Sequence, residues 1–149
     1  MRSILSRRQK SPGPGSTLSR DERGAGAVEF ALIAPVMLVI AMGMIEFGTI
    51  MYTYSSAVSV SQDLARSVAA GRMTTSTASS TAVGRLPHWV QSAATVSVTQ
   101  SSPTNVSTNR ITVLISFPAR NATPTTFLQA AYNSTTIQAA ATMRQEPTT

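Results

Sequence analysis

The chain contains no cysteine and a single histidine, His88. A disulfide framework, a thiolate metal site and a cysteine nucleophile are therefore excluded, as is any metal cluster or mechanism that needs two imidazoles. Acidic residues are equally scarce. There are six, namely Asp21, Glu22, Glu29, Glu46, Asp63 and Glu146, against twelve Lys or Arg, and they are scattered along the 149 residues. Glu29 and Glu46 lie in one apolar stretch, but at about 100° per residue their side chains face about 100° apart on a helix, so they form no acid/base pair on one face. No catalytic residue, metal, cofactor or small-molecule substrate is expected, and the chain does not read as an enzyme. Aromatics make up only 5% of the residues. The basic segment at the start lacks the interleaved aromatic rings that stack on bases, so no nucleic-acid partner is expected either.

What is present falls into three unlike parts. Before residue 24, Arg2, Arg7, Arg8, Lys10, Arg20 and Arg23 face only Asp21 and Glu22, a net of four positive charges, and the Ser11–Gly15 run of alternating Pro and Gly opposes a helix. Next comes an apolar stretch. Sixteen uncharged residues, Phe30–Ile45, precede Glu46, and sixteen more, Phe47–Gln62, follow it. A bilayer core takes about 20 apolar residues, so the window Ala27–Met51 is long enough to span it. Its ten large apolar side chains contribute about −3 to −6 kcal/mol to insertion, whereas a central acid costs about 2.5 to 3.5 kcal/mol. Glu46 lies off centre and Glu29 at the edge, which lowers that penalty. The positive charge ahead of the span holds the amino terminus in the cytoplasm and places the rest outside. A cleaved secretory signal is the competing reading, with Ser55, Ser56 and Ala57 as acceptable small residues, but its apolar region normally runs about 7 to 15 residues.

The helix is expected to continue beyond the membrane. Ala57, Val60, Leu64 and Val68 recur at spacings of three and four until Gly71, giving one helix over about 28–70. Pro35 removes one internal hydrogen bond and bends the axis, while Ala27, Ala31 and Pro35 form a small-residue stripe suited to close helix approach. The four methionines from Met37 to Met51 read as packing residues. An intramembrane carboxylate calls for a partner or a wet path. For Glu29 the alternatives are that role or simple capping of the first turn, where negative charge suits the helix dipole. For Glu46 they are contact with a partner helix or solvation at the outer interface.

Beyond Gly71 the chain is rich in Ser and Thr. Met73–Thr81 has the composition of a linker, and Arg85–Gln91 reads as a short helix or turn in which His88 packs beside Trp89. Residues 94–99, 110–117 and 137–143 alternate apolar and polar side chains with period two, as strands do. The first two suggest a hairpin around 101–109, and the third a return strand after a helical turn near Phe127–Tyr132. The expected fold class is α+β: a long amino-terminal helix packed on a small antiparallel sheet of about three strands, burying Val96, Ile111, Val113, Ile115 and Ile137. The organisation is a basic cytoplasmic leader (1–24), a transmembrane helix (25–54), an amphipathic extension (55–71) and a small outer domain (72–149). Three Asn-x-Ser/Thr matches, at Asn105, Asn121 and Asn133, arise readily in such a composition.

The junction Arg23-Gly24-Ala25-Gly26-Ala27-Val28-Glu29-Phe30 resembles a type IV prepilin processing site, in which a membrane-embedded prepilin peptidase cuts after the Gly and the Glu becomes the fifth residue of the mature chain. The continuation Ala31-Leu32-Ile33-Ala34-Pro35, followed by Gly43-Met44-Ile45-Glu46-Phe47-Gly48, is similar to the amino-terminal signature of the TadE-like family, minor pilin-like proteins of the Tad apparatus that assembles Flp (type IVb) pili in bacteria. The closing residues Ala141–Glu146 resemble the ends of such chains more loosely. The resemblance implies cleavage between Gly24 and Ala25, with the new amine available to neutralise Glu29, and an assembly role for Glu29 and Phe30. Implied partners are the membrane, a prepilin peptidase, another pilin-like subunit and Tad secretion-assembly proteins. The implied location is the bacterial inner membrane or the pilus itself. Thr49 departs from the pattern, since many members carry a basic residue there, and this removes the obvious cation for Glu46. The competing function is an unprocessed, membrane-anchored binding or adhesion module.

Overall fold

The computed structural model describes residues 22–146; the leader expected over 1–24 lies outside the described residues up to residue 21. The chain divides into two units, residues 1–40 and 41–149. Helix α1, Glu22–Ala69, contributes to both and is 48 residues long. It starts about six residues before the expected position, carrying Gly24 and Gly26 in its first turns. Glycine costs about 1 kcal/mol in a helix interior relative to alanine, so this end is the least stable part of α1.

In the first unit the helix passes through Pro35 unbroken. Its large apolar side chains, including Phe30, Leu32, Val36 and Leu38, are half to three-quarters exposed. This is the helix that is long and apolar enough to cross a membrane.

In the second unit α1 presents one stripe to the rest of the chain. Glu46, Thr53, Ala57, Val60, Leu64 and Val68 are buried, with Ile50 half-buried between the first two. Their spacings of seven, four, three, four and four keep them on one face. Gly71 ends the helix with φ +69°, a left-handed conformation that glycine adopts freely. The Gly71 amide donates to Val68 O and the Arg72 amide to Ser67 O, which satisfies two of the last carbonyls as in a Schellman motif.

The Met73–Thr81 run, expected to be a linker, lies largely in helix α2, Thr75–Arg85. Thr74 caps it by accepting from the Thr77 amide, and Ala78 and Ala82, one turn apart, are fully buried. Two small alanines on one face allow close packing even though the composition is that of a flexible segment. Helix α3, His88–Gln91, follows.

The sheet matches the expectation closely. Strands β1, Thr95–Gln100, β2, Arg110–Pro118, and β3, Thr136–Arg144, pair antiparallel in the order β1-β2-β3. Val98 pairs with Val113, and Val113 with Ala141. Val113, Ile115 and Phe117 are buried with Leu64, Leu86, Val90 and neighbouring alanines, and Ile111 with Val68, Ala69 and Ala78, whereas Val96 and Ile137 are only half-buried. Helix α4, Gln129–Tyr132, is the short turn foreseen near Phe127–Tyr132. Asn109, which drew no notice in the sequence, is fully buried. It accepts from the Ser102 amide at 2.9 Å and donates through Nδ2 to Gln145 Oε1 at 2.7 Å, tying the β1–β2 turn to the end of β3.

The division of α1 has a measurable consequence. Leu64→Ala removes a fully buried side chain and is expected to cost about 2 to 5 kcal/mol, whereas Leu38→Ala, at 66% exposure, leaves the outer domain intact. Thermal unfolding of the full chain in detergent checks the contrast.

Candidate functional site

Glu46 is the centre of the most unusual chemistry in the molecule. Its side chain is 1% exposed, although it follows sixteen uncharged residues of an apolar helix. A carboxylate removed from water is destabilised by several kcal/mol unless hydrogen bonds replace its hydration. Two donors do so here. The Leu128 amide donates to Oε2 at 2.8 Å, and the Tyr132 hydroxyl donates to Oε1. Both come from within the chain, 82 and 86 residues further on. Within the chain the carboxylate is met by α4 and the residue that precedes it. Thr49, in the place of a basic residue, turns its hydroxyl to Ile45 O at 2.8 Å and leaves the carboxylate to Tyr132.

The Tyr132 phenol responds to this environment. Its pKa is raised from the ordinary 10 to about 12, first by burial, then by the hydrogen bond to Glu46, then by the carboxylate charge. Because the folded-state value lies above the unfolded one, the contact stabilises the fold fully below pH 10 and is lost as pH rises toward 12.

A second polar junction lies two turns along the same stripe. Thr53, fully buried, donates its hydroxyl to Ala122 O at 2.6 Å, and Trp89 Nε1–H reaches the same carbonyl at 3.2 Å. His88 is exposed and sits edge-on to Trp89, which fits packing and no chemistry of its own. The segment from Ala122 to Tyr132 is thereby fastened to α1 at both ends. No sequence signal paired Thr53 with Ala122 or Glu46 with Tyr132, because the partners carry no motif and are distant in sequence.

The other sequence-derived residues lie elsewhere. Gly24 and Ala25 form part of the exposed opening turns of α1, and Glu29 and Phe30, one turn on, are also exposed. No group of three or more His, Cys, Asp or Glu side chains able to hold a metal exists among the described residues. An open groove of about 270 Å³ at one end of the sheet is lined by Ser107, Thr108, Arg110 and Arg144. Arg110 and Arg144 are register partners, and the Arg144 guanidinium is satisfied by Ser107 O.

The family model described as TadE-like protein matches residues 24–66. The match therefore begins at the glycine of the junction and takes in the apolar helix, both of its acids, Glu29 and Glu46, and most of the buried stripe. No curated protein and no solved structure matches the chain. The sheet and α4, which complete the Glu46 site, lie outside the matched stretch. The matched stretch lies in the one helix, among the described residues, that is long and apolar enough to cross a membrane.

Replacing Glu46 by Leu leaves the Leu128 amide and the Tyr132 hydroxyl without their acceptor, at about 1 to 3 kcal/mol each. Hydrogen exchange at the Leu128 amide should accelerate accordingly. Tyr132→Phe should remove the highest-pH step from the alkaline phenolate titration followed by difference absorbance.

Proposed function

We propose that the chain is a membrane-anchored, pilin-like (pseudopilin) component of a Tad pilus assembly system, cut between Gly24 and Ala25 by a prepilin peptidase. Its role is structural: one helix crosses the bacterial inner membrane, the amino terminus is cytoplasmic and the α+β domain lies outside, from where the subunit can enter a fibre that serves adherence. The observation that carries this reading is the state of α1 within the matched stretch. Apart from Glu29, its surface from Gly24 to Ile45 is uncharged and almost wholly uncovered by the chain's own residues. Such a surface is stable in lipid or against other apolar helices, the two environments that a pilin helix exchanges.

Two details support processing. A Cβ added at Gly24 would meet nothing within 4 Å, and the residue needs no left-handed backbone. The fold itself therefore makes no demand for glycine there, which is consistent with a demand from outside, such as the tight subsite of a peptidase. Glu29 sits one helical turn beyond Ala25. Helical side chains lean toward the amino terminus, so its carboxylate inclines toward the amine that cleavage would create at Ala25. Within one subunit or between neighbours, that pairing lowers the cost of a charge in the membrane. Another pilin-like subunit and the Tad secretion-assembly proteins are the implied partners.

Sequencing the amino terminus of the mature protein should find Ala25 first. Gly24→Leu, which the open space at that position accommodates, should abolish the cut while the outer domain unfolds at an unchanged temperature. An intact start with full function in that variant would instead favour an unprocessed anchored module, and a start near Val58 would indicate signal peptidase.

A further inference from the structure

The segment between the two polar junctions runs along α1 toward the membrane. Ala122 is fixed at the level of Thr53 and Tyr132 at the level of Glu46, while Leu128 Cδ1 lies 3.6 Å from where a Cβ on Gly43 would stand. Gly43 and Thr53 are ten residues apart, about 15 Å along the helix axis. The segment therefore descends from outside the apolar helix to a level beside Gly43. At its lowest point Phe127 and Leu128 are 48% and 37% exposed. No charged residue occurs from Asn121 to Met143.

The depth of the bilayer follows from the two acids. Phe30–Ile45 covers about 24 Å of helix, short of the roughly 30 Å of hydrocarbon that a membrane presents. The hydrocarbon must therefore reach past Glu29 or Glu46. Glu46 is the one whose carboxylate is closed off from its surroundings by its own hydrogen bonds, so it tolerates that depth, whereas Glu29 is exposed. Phe127 and Leu128 share the level of Glu46, and the exposed Tyr52 lies above them, as aromatic residues do at a membrane boundary.

We infer that Phe127 and Leu128 form a foot by which the outer domain inserts into the outer leaflet of the bilayer, at the depth of the Glu46–Tyr132 contact. This rests on the span proposed above. The occupant of the surface is lipid, because the same level of α1 exposes Met44, Ile45 and Phe47, so that foot and helix present one uncharged apolar surface. Glu46 then has a role in the foot: it holds Leu128 by the backbone and Tyr132 by the hydroxyl, so that side chains that would otherwise swing free stay at the boundary.

The absence of cysteine makes every introduced thiol a unique labelling site. The full chain carrying a nitroxide at Phe127→Cys is reconstituted, at low protein density, in vesicles of phosphatidylethanolamine and phosphatidylglycerol. Relaxation by oxygen, which concentrates in hydrocarbon, is compared with relaxation by a water-soluble nickel chelate. Labels at Ile33→Cys in the span and Ser97→Cys on the outer face of the sheet give the two limits. The oxygen-to-nickel ratio at position 127 should exceed that at 97 several-fold and approach that at 33. It should fall toward the value at 97 when Glu46→Leu is added. As a second variant that keeps an apolar ring, Phe127→Trp should be quenched by lipids brominated near the headgroup more strongly than Trp89 alone. A ratio at 127 equal to that at 97, with position 33 protected from nickel, overturns the foot and leaves the span. Protection at 127 from both oxygen and nickel shows a protein neighbour in place of lipid and also overturns it. If nickel reaches position 33, the span reading fails and the foot with it.

Discussion

The α+β part of the molecule depends on how it satisfies one carboxylate. Glu46 stands where the apolar helix gives way to the buried stripe, and the stripe can pack against the sheet only if that carboxylate is taken out of water at no great cost. A backbone amide and a phenol supply the two hydrogen bonds, and neither donor carries a charge. An ion pair would be a stronger attraction, but it would also bury a second charge beside an apolar helix, where charge is costly. Neutral donors stabilise the carboxylate without adding one. The same choice recurs at Thr53, where an uncharged hydroxyl and an indole N–H share the Ala122 carbonyl.

The stripe thus has two halves with different chemistry. Nearer the apolar run, Glu46 and Thr53 are polar and hydrogen-bonded; further along, Ala57, Val60, Leu64 and Val68 are apolar and packed. The apolar half provides bulk stability, since burial scales with area, but it says little about register, because a small slide would still match apolar to apolar. Hydrogen bonds are directional, and a displaced donor leaves a buried acceptor unsatisfied. The polar half therefore fixes the position of the α4 segment along α1. Among the described residues no buried side-chain polar atom lacks a partner, as such a locked arrangement requires.

Much of this was legible in the sequence, and what escaped did so for physical reasons. The apolar run, the continued helical spacing to Val68, the stop at Gly71 and the three alternating strands are local patterns, set by neighbours within a turn or a pleat. Helix α2 escaped because Ser and Thr dominate its composition, and only the tertiary burial of Ala78 and Ala82, with a cap from Thr74, makes it a helix. The early start of α1 escaped because two glycines argue against it locally, while the long helix that follows extends over them at small cost. Glu46 stood out as an anomaly, but its partners did not. Tyr132 in a short Ala-rich turn has no mark that distinguishes it from a surface tyrosine.

In the pilin-like role proposed above, a subunit is held in a bilayer and yet able to leave it, and the two acids of α1 would answer that requirement in opposite ways. Glu29 is exposed, and in the proposed mature chain its pairing group, the amine of Ala25, appears only after processing, so its pairing is tied to an event. Glu46 is satisfied by the fold itself and needs nothing from outside. A subunit that leaves lipid for a fibre must exchange every contact that lipid made with the helix surface, whereas the Glu46 contact travels with the subunit. The carboxylate that must be free to change partner is thus on the uncovered part of α1, and the one that must not change is beneath the domain. The two lie on the same helix seventeen residues apart, and their difference in burial, more than their separation, assigns them different tasks.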